Sequence, residues 1–336
     1  MKIYFTILLF LITVKNHYCQ DLKEKKIYEY GTRLSEKGFE KNGKREGRWQ
    51  FYDINEKLSL EKDYKNGIEN GEWISYENGK IVTRGTLLNG KSTGLWTFFY
   101  FHSGKIYETG VLIDNKREGF WKRYYESGEI FLAGKYINDK QDGVWKLFYD
   151  DGKTKSIWYY KDGRNIGLFQ TLDPQGKQIE YGNYNLDGLE TGKWRRFIDN
   201  YFEEGIFNNG EKTGLWKVTD TKGILVETLF YKVNNETEKK TYYPSGNIKE
   251  IYHLTDFKYH GKYKEYYENG ILMTKGKYYL NHNIRMWKFY DKSGKLDHKV
   301  KHDSKSKAIR AVKRAKRDSM YGYDIDSSTI SRKADF

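Results

Sequence analysis

The chain has 336 residues, 38% of them hydrophobic and 17% aromatic, with 33 glycines, 2 prolines, 1 cysteine and a formal net charge of +14. This balance excludes a collagen-like or proline-rich chain, and it leaves backbone donors free for sheet ladders. Burial must therefore rest on Trp, Tyr and Phe plates more than on an aliphatic globule.

At the N-terminus Lys2 precedes an apolar run from Ile3 to Val14, then a polar stretch ending Asn16-His17-Tyr18-Cys19-Gln20. The run falls short of the ~20 residues that a membrane-spanning helix needs, so residues 1–19 read as an export signal. Asn16, His17 and Tyr18 do not fit the box before a lipid-bearing cysteine. Cleavage after Cys19 is accordingly the favoured reading and a lipid anchor on Cys19 the alternative; cleavage leaves a mature chain without thiol chemistry. Residues 20–46 form a polar lead-in with one half-unit, Tyr30-Gly31 to Gly38-Phe39, expected to cap the first repeat.

From Gly47-Arg48-Trp49 onward, a Gly-x-aromatic unit followed by Tyr or Phe and a turn glycine returns at positions 47, 71, 94, 119, 143, 167, 192, 214, 237, 261 and 285. Two copies are worn, Thr237-Glu238-Lys239 and Arg285-Met286-Trp287. The steps stay between 22 (192 to 214) and 25 (94 to 119) residues, the signature of stacked units that each bury a face against their neighbours. In the copy at 143–166, Val144 to Tyr149 reads as a strand, Asp150-Asp151-Gly152-Lys153 as a turn, Thr154 to Tyr160 as the return strand and Lys161-Asp162-Gly163 as the next turn. The fold class is thus all-β: an elongated single-sheet array of about eleven stacked antiparallel β-hairpins over residues 47–300.

Alternation puts Trp145, Leu147 and Tyr149 on one face and Val144, Lys146 and Phe148 on the other. The rings read as seam filling and the glycines as turn formers. The 197–205 stretch lacks a turn glycine, so an irregularity is expected there. Beyond residue 300 the pattern stops, and Lys301, Lys305, Lys307, Arg310, Lys313, Arg314, Lys316 and Arg317 face only Asp303. Residues 304–318 are expected to form a basic helix capped by Asp303 or Ser304, and the last residues of the 301–336 tail to be disordered.

The unit, roughly G-x-W-x-x-Y-x-x-x-G-x-x followed by G-x-Y-x-x-G, resembles the MORN repeat in its bacterial variant form over residues 38–298. The resemblance implies an antiparallel hairpin sheet acting as a non-catalytic scaffold that binds proteins and in some cases anionic lipids. Many bacterial proteins with this variant are labelled antitoxins of toxin–antitoxin pairs, a role at odds with an export signal.

No phosphate-cradling loop, nucleophile elbow or Ser/His/Asp set is present, so neither catalysis nor a cofactor is expected. His298 and His302 stand four apart beside Asp297 and Asp303, but the spacing fixes no third ligand, and no metal is expected. The candidate binding residues are the cations following each unit's aromatic, Lys122, Lys146, Arg195, Lys217, Lys264 and Lys288, with Lys240 in a worn copy; Gln50, Ile74 and Thr97 stand there in earlier copies. Stacked in register they would line one face two strand spacings, ~9.6 Å, apart. Arg310, Lys313, Arg314, Lys316 and Arg317 in the tail add to them. The composite expectation is an exported, non-enzymatic scaffold for a protein partner at the cell envelope or outside the cell. The alternatives are a binder of anionic membrane surfaces or polyanionic glycans, and an antitoxin-like inhibitor. Nucleic acid is not expected as a partner.

Overall fold

The computed structural model describes residues 22–232 and 236–320, with side chains up to residue 315. The leader at residues 1–19 and the end of the tail lie outside the described residues. Those described form 25 strands and one helix, and the chain divides into two units at Gln178/Ile179.

In the first unit the lead-in hairpin β1 (Lys23–Glu29) and β2 (Arg33–Lys41) is followed by β3 (Lys44–Tyr52), β4 (Leu58–Lys65), β5 (Ile68–Glu77) and β6 (Lys80–Leu88). Next come β7 (Lys91–Phe99), β8 (Ile106–Ile113), β9 (Lys116–Tyr124) and β10 (Ile130–Ile137). The unit closes with β11 (Lys140–Phe148), β12 (Thr154–Lys161), β13 (Arg164–Asn165) and β14 (Gly167–Leu172). Consecutive strands pair antiparallel, except that β12 pairs with both short segments that follow it. The second unit holds β15 (Gln178–Tyr184), β16 (Glu190–Ile198), β17 (Tyr201–Asn208), β18 (Glu211–Asp220), β19 (Leu225–Tyr231) and β20 (Glu236–Tyr242). It ends with β21 (Ile248–Thr255), β22 (Lys258–Tyr266), β23 (Leu272–Tyr279), β24 (His282–Tyr290), β25 (Leu296–Lys301) and the helix α1 (Lys305–Met320). Both units are antiparallel hairpin sheets, as the periodicity predicts.

Two kinds of turn alternate, each set by local chemistry. Between β10 and β11, Asn138 and Asp139 take φ of 49° and 66°, the paired left-handed geometry that matches strand twist in a two-residue hairpin. Between β11 and β12 the loop is longer: Tyr149 N–H donates to Lys153 O at 2.8 Å and Gly152 N–H to Tyr149 O at 3.0 Å. The Tyr149 hydroxyl then reaches the Leu172 carbonyl at 2.8 Å, one unit on. Equivalent clasps run from Tyr100 to Tyr124 O and from Tyr125 to Phe148 O, both 2.7 Å. Tyr149 therefore leaves the strand pattern in which alternation places it and ties neighbouring loops together.

The glycines do two different jobs, only one of them a turn-like conformation. Gly143 opens its Gly-x-Trp triplet inside β11, where Ala133 pairs with Lys146 but Lys135 pairs with Asp142, a bulge. Its φ is 74° and an added Cβ would meet nothing within 4 Å, so the demand is conformational. Gly134, on β10, is the reverse case. An added Cβ would stand 2.1 Å from Trp145 Cδ2, because the indole lies flat on the Gly134 backbone. The same seat recurs as Gly110 under Trp121, Gly205 under Trp216 and Gly276 under Trp287.

The seated rings make the core. Trp145 is 2% exposed, donates Nε1–H to Lys135 O at 3.1 Å and meets Tyr136 edge-on at 4.9 Å. Offset and edge-on contacts of this kind add to burial without a second sheet layer. In the worn copy, Lys239 takes the place of the tryptophan in β20 and pairs with Glu227 at 2.7 Å; there β19 and β20 run without a bulge.

Residues 197–205 correct the expected irregularity. Gly192 to Ile198 pair without interruption with Phe207 to Tyr201, since Asp199 and Asn200, with φ of 49° and 69°, supply the tight turn without glycine.

Candidate binding surface

The bulge turns the tryptophan inward and leaves the next residue on the opposite face. Cross-strand pairing places those residues in one row in each unit. In the first unit the row reads Lys37, Gln50, Glu61, Ile74, Arg84, Thr97, Thr109, Lys122, Ala133, Lys146, Ile157, Gln170. Lys122 and Lys146 are both exposed and are separated by Ala133. In the second unit it runs Tyr181, Arg195, Glu204, Lys217, Thr228, Lys240, Ile251, Lys264, Lys275, Lys288, Lys299.

The electrostatics differ along these rows. At the start of the first unit, Gln50 Nε2–H and the Tyr76 hydroxyl donate to Glu61 at 2.7 and 2.8 Å, and burial together with that carboxylate pushes the Tyr76 phenol up to about 12. Nearby, Arg48 bridges Asp63 at 3.0 Å and Glu72 at 2.7 Å, and Arg84 Nε–H donates to Glu72 at 2.6 Å. Burial pushes the Glu72 carboxyl up, but the bonds from Arg84 and Arg48 outweigh it and hold its pKa below the ordinary value. In the second unit Glu204 sits between Arg195 and Lys217 in register and lies 3.7 Å from the Arg195 guanidinium. Lys240 pairs with Glu238 at 3.4 Å.

The candidates thus divide. Arg195 and Lys240 are paired with carboxylates, Lys122 and Lys146 stand singly among neutral residues, and Lys264 and Lys288 fall within an unbroken run of four lysines. Sequence reasoning missed Lys275 and Lys299 because it sampled only the strand carrying the aromatic. The return strand holds the signal: the residue before each seat glycine, Ala133 before Gly134 or Lys275 before Gly276, registers with the cation column.

The tail is docked. Ser304 O accepts from Lys307 N–H and Ala308 N–H at 3.0 and 3.1 Å, starting α1, and Ala308, 5% exposed, packs against β23 and β24. Arg310, Lys313 and Arg314 are exposed on it; the side chains of Lys316 and Arg317 lie outside the described residues. His298 is occupied structurally, stacked on Phe289 at 4.4 Å with Nδ1 2.9 Å from Asp297.

A second feature shares the cation face. The middle residue of each triplet lies two positions before the cation, and in the first unit Leu95, Phe120, Val144 and Leu168 are 63%, 73%, 41% and 65% exposed. Leu95 pairs with Val111, and Val144 with Tyr159.

Registered hairpins, ring-on-glycine seats and an outward face of variable chemistry define a β-hairpin repeat protein. Residues 141–162, 236–256 and 259–281 match the sequence model of the MORN repeat variant, and the chain carries MORN-type repeats at these three places. No curated protein matches it. Among solved structures, the TcdB2-TccC3-Cdc42 crystal structure and a Photorhabdus luminescens Tc holotoxin pore align at 10% and 11% identity with TM-scores of 0.16 and 0.18. These alignments cover 84% and 85% of this chain but only 18% of each of those chains, a likeness too weak to define fold or role.

Proposed function

We propose that the protein is an exported, non-catalytic repeat scaffold that binds a protein partner at the cell envelope or outside the cell. The observation that carries this reading is the exposed apolar row Leu95, Phe120, Val144 and Leu168 of the first unit. Exposed apolar side chains repeated at the same position of four successive units, with lysines beside them, supply the apolar anchors and polar surround of a protein interface. The leader pattern at residues 1–19 supports export.

Photocrosslinking from position 120 in envelope extracts tests it. One discrete adduct, reproduced from position 168 and lost in the Leu95→Ser/Val144→Ser variant, is the expected result. Adducts spread over many proteins, or none from either position, would end this reading. Recovery of the chain only in the cytosol with Met1 intact would favour an antitoxin-like inhibitor.

A further inference from the structure

The run Lys264, Lys275, Lys288 and Lys299 occupies four adjacent strands, β22 to β25, each lysine directly opposite the next. A second rank flanks it two residues along: Lys262 pairs with Lys277, and Met286 with Lys301. Like charges placed opposite on a sheet repel, and elsewhere in the same row the chain avoids this by interposing Glu204. Here nothing is interposed. Among the described residues, none of these lysines, nor Arg285, has a carboxylate within ion-pair distance. The neighbouring acids are spent elsewhere: Asp297 lies 2.9 Å from His298, Asp303 lies 3.0 Å from Lys307, and Glu265 lies beneath the sheet beside the Tyr263 hydroxyl at 3.4 Å.

The lysines also flank an open surface cleft. A cleft of about 350 Å³ is lined by Lys262, Lys264, Lys275, Lys277, Arg285 and Lys288, with Tyr263, Gly276 and Met286 completing it. Six of its nine lining residues are cations and none is acidic. Of the lining cations, Lys275 rests over a ring, its Nζ 5.4 Å from the Tyr290 ring centre.

We infer that this face of β22–β25 binds a linear acidic polysaccharide carrying about one carboxylate per sugar. Four lysines on consecutive strands make a row ~14 Å long with a charge every ~4.8 Å, a repeat close to the length of one sugar in an extended chain. A membrane surface fits less well, because Met286 is the sole apolar member of the two ranks and interfacial binding needs an apolar face to insert. The self-repulsion of the lysines is relieved when the polyanion binds. This site lies in the second unit and does not rest on the protein-partner reading.

The test is titration of the full chain with polygalacturonate at low and high salt, alongside its methyl-esterified form, phosphatidylglycerol vesicles and a single-stranded oligonucleotide. Polygalacturonate is expected to bind at low salt and be released at high salt, with no binding of the esterified polymer. The quadruple variant K264Q/K275Q/K288Q/K299Q should weaken binding by roughly tenfold or more, while K116Q/K140Q, at two exposed lysines of the first unit outside the row, leaves it within about twofold. Removing like charges should not unfold the sheet, and an unchanged near-ultraviolet circular dichroism spectrum confirms this; K275Q alone should give a partial loss. Absence of polygalacturonate binding at low salt overturns the proposal. So does equal affinity of the folded quadruple variant, or binding confined to vesicles or oligonucleotide.

Discussion

In β7–β14 the triplet's middle residue is Leu95, Phe120, Val144 or Leu168, and the row beside it is mostly neutral. In β22–β25 the same two positions are almost wholly cationic, Lys262 and Lys264 on one strand and Lys299 and Lys301 on another. Beneath both surfaces the inward architecture is the same, a ring on a glycine next to a bulge. The contrast teaches that the repeat's defining residues are structural and that binding chemistry resides in the residues between them.

Several measurements can break or sharpen that contrast. If the inward parts are equivalent, Trp145→Ala in the first region and Trp287→Ala in the second should each cost about 3–5 kcal/mol in chemical denaturation. A much smaller loss at Trp287, whose indole N–H is buried without a partner, would show that the second region is packed differently. Next in size, Gly134→Ala and Gly276→Ala should cost about 1–3 kcal/mol by forcing the ring off its seat.

The bulge position gives opposite signs in the two regions. Gly143→Ala should destabilise by about 1 kcal/mol, whereas Arg285→Gly, replacing a side chain that already sits at φ 66°, should stabilise by a comparable amount. Thermal melts of both variants check this. Tyr149→Phe, which removes the clasp to Leu172, should cost about 1 kcal/mol.

The smallest effects are pH-dependent and again differ in sign. Glu72 titrates below its ordinary value in the folded chain, so its contribution is present at neutral pH and is lost on acidification through the folded pKa. Burial and the facing Glu250 raise the Glu265 pKa. The folded state then holds its proton more tightly, and stability falls as pH rises from the ordinary carboxylate value through the raised one. Glu72→Gln should flatten the acid limb of the stability profile, and Glu265→Gln should remove a decline just above it. Denaturation midpoints measured between about pH 3 and pH 7 separate the two.

Much of the fold was legible because each local rule acts within one repeat. Asp151-Gly152 and Asp162-Gly163 announce their turns, and the Gly-x-Trp period announces the hairpins. Two features escaped. Asp199-Asn200 makes a regular turn without glycine, and Gly134 is required by a ring on the neighbouring strand, which no pattern within its own strand displays. Of the candidate surface, the cations after each aromatic were readable, but their partners were not: Arg195 meets Glu204, and Lys264 meets Lys275.

The sequence by itself determined the repeat, its register of turns and its alternation of inward ring and outward cation, because these follow from backbone conformation and the two-residue strand period. Only the tertiary structure decided which outward charges are cancelled and which accumulate. Neighbours in the outward row, such as Lys264 and Lys275, come from different strands, and the bulges that recur where one repeat meets the next shift the count that would otherwise pair them.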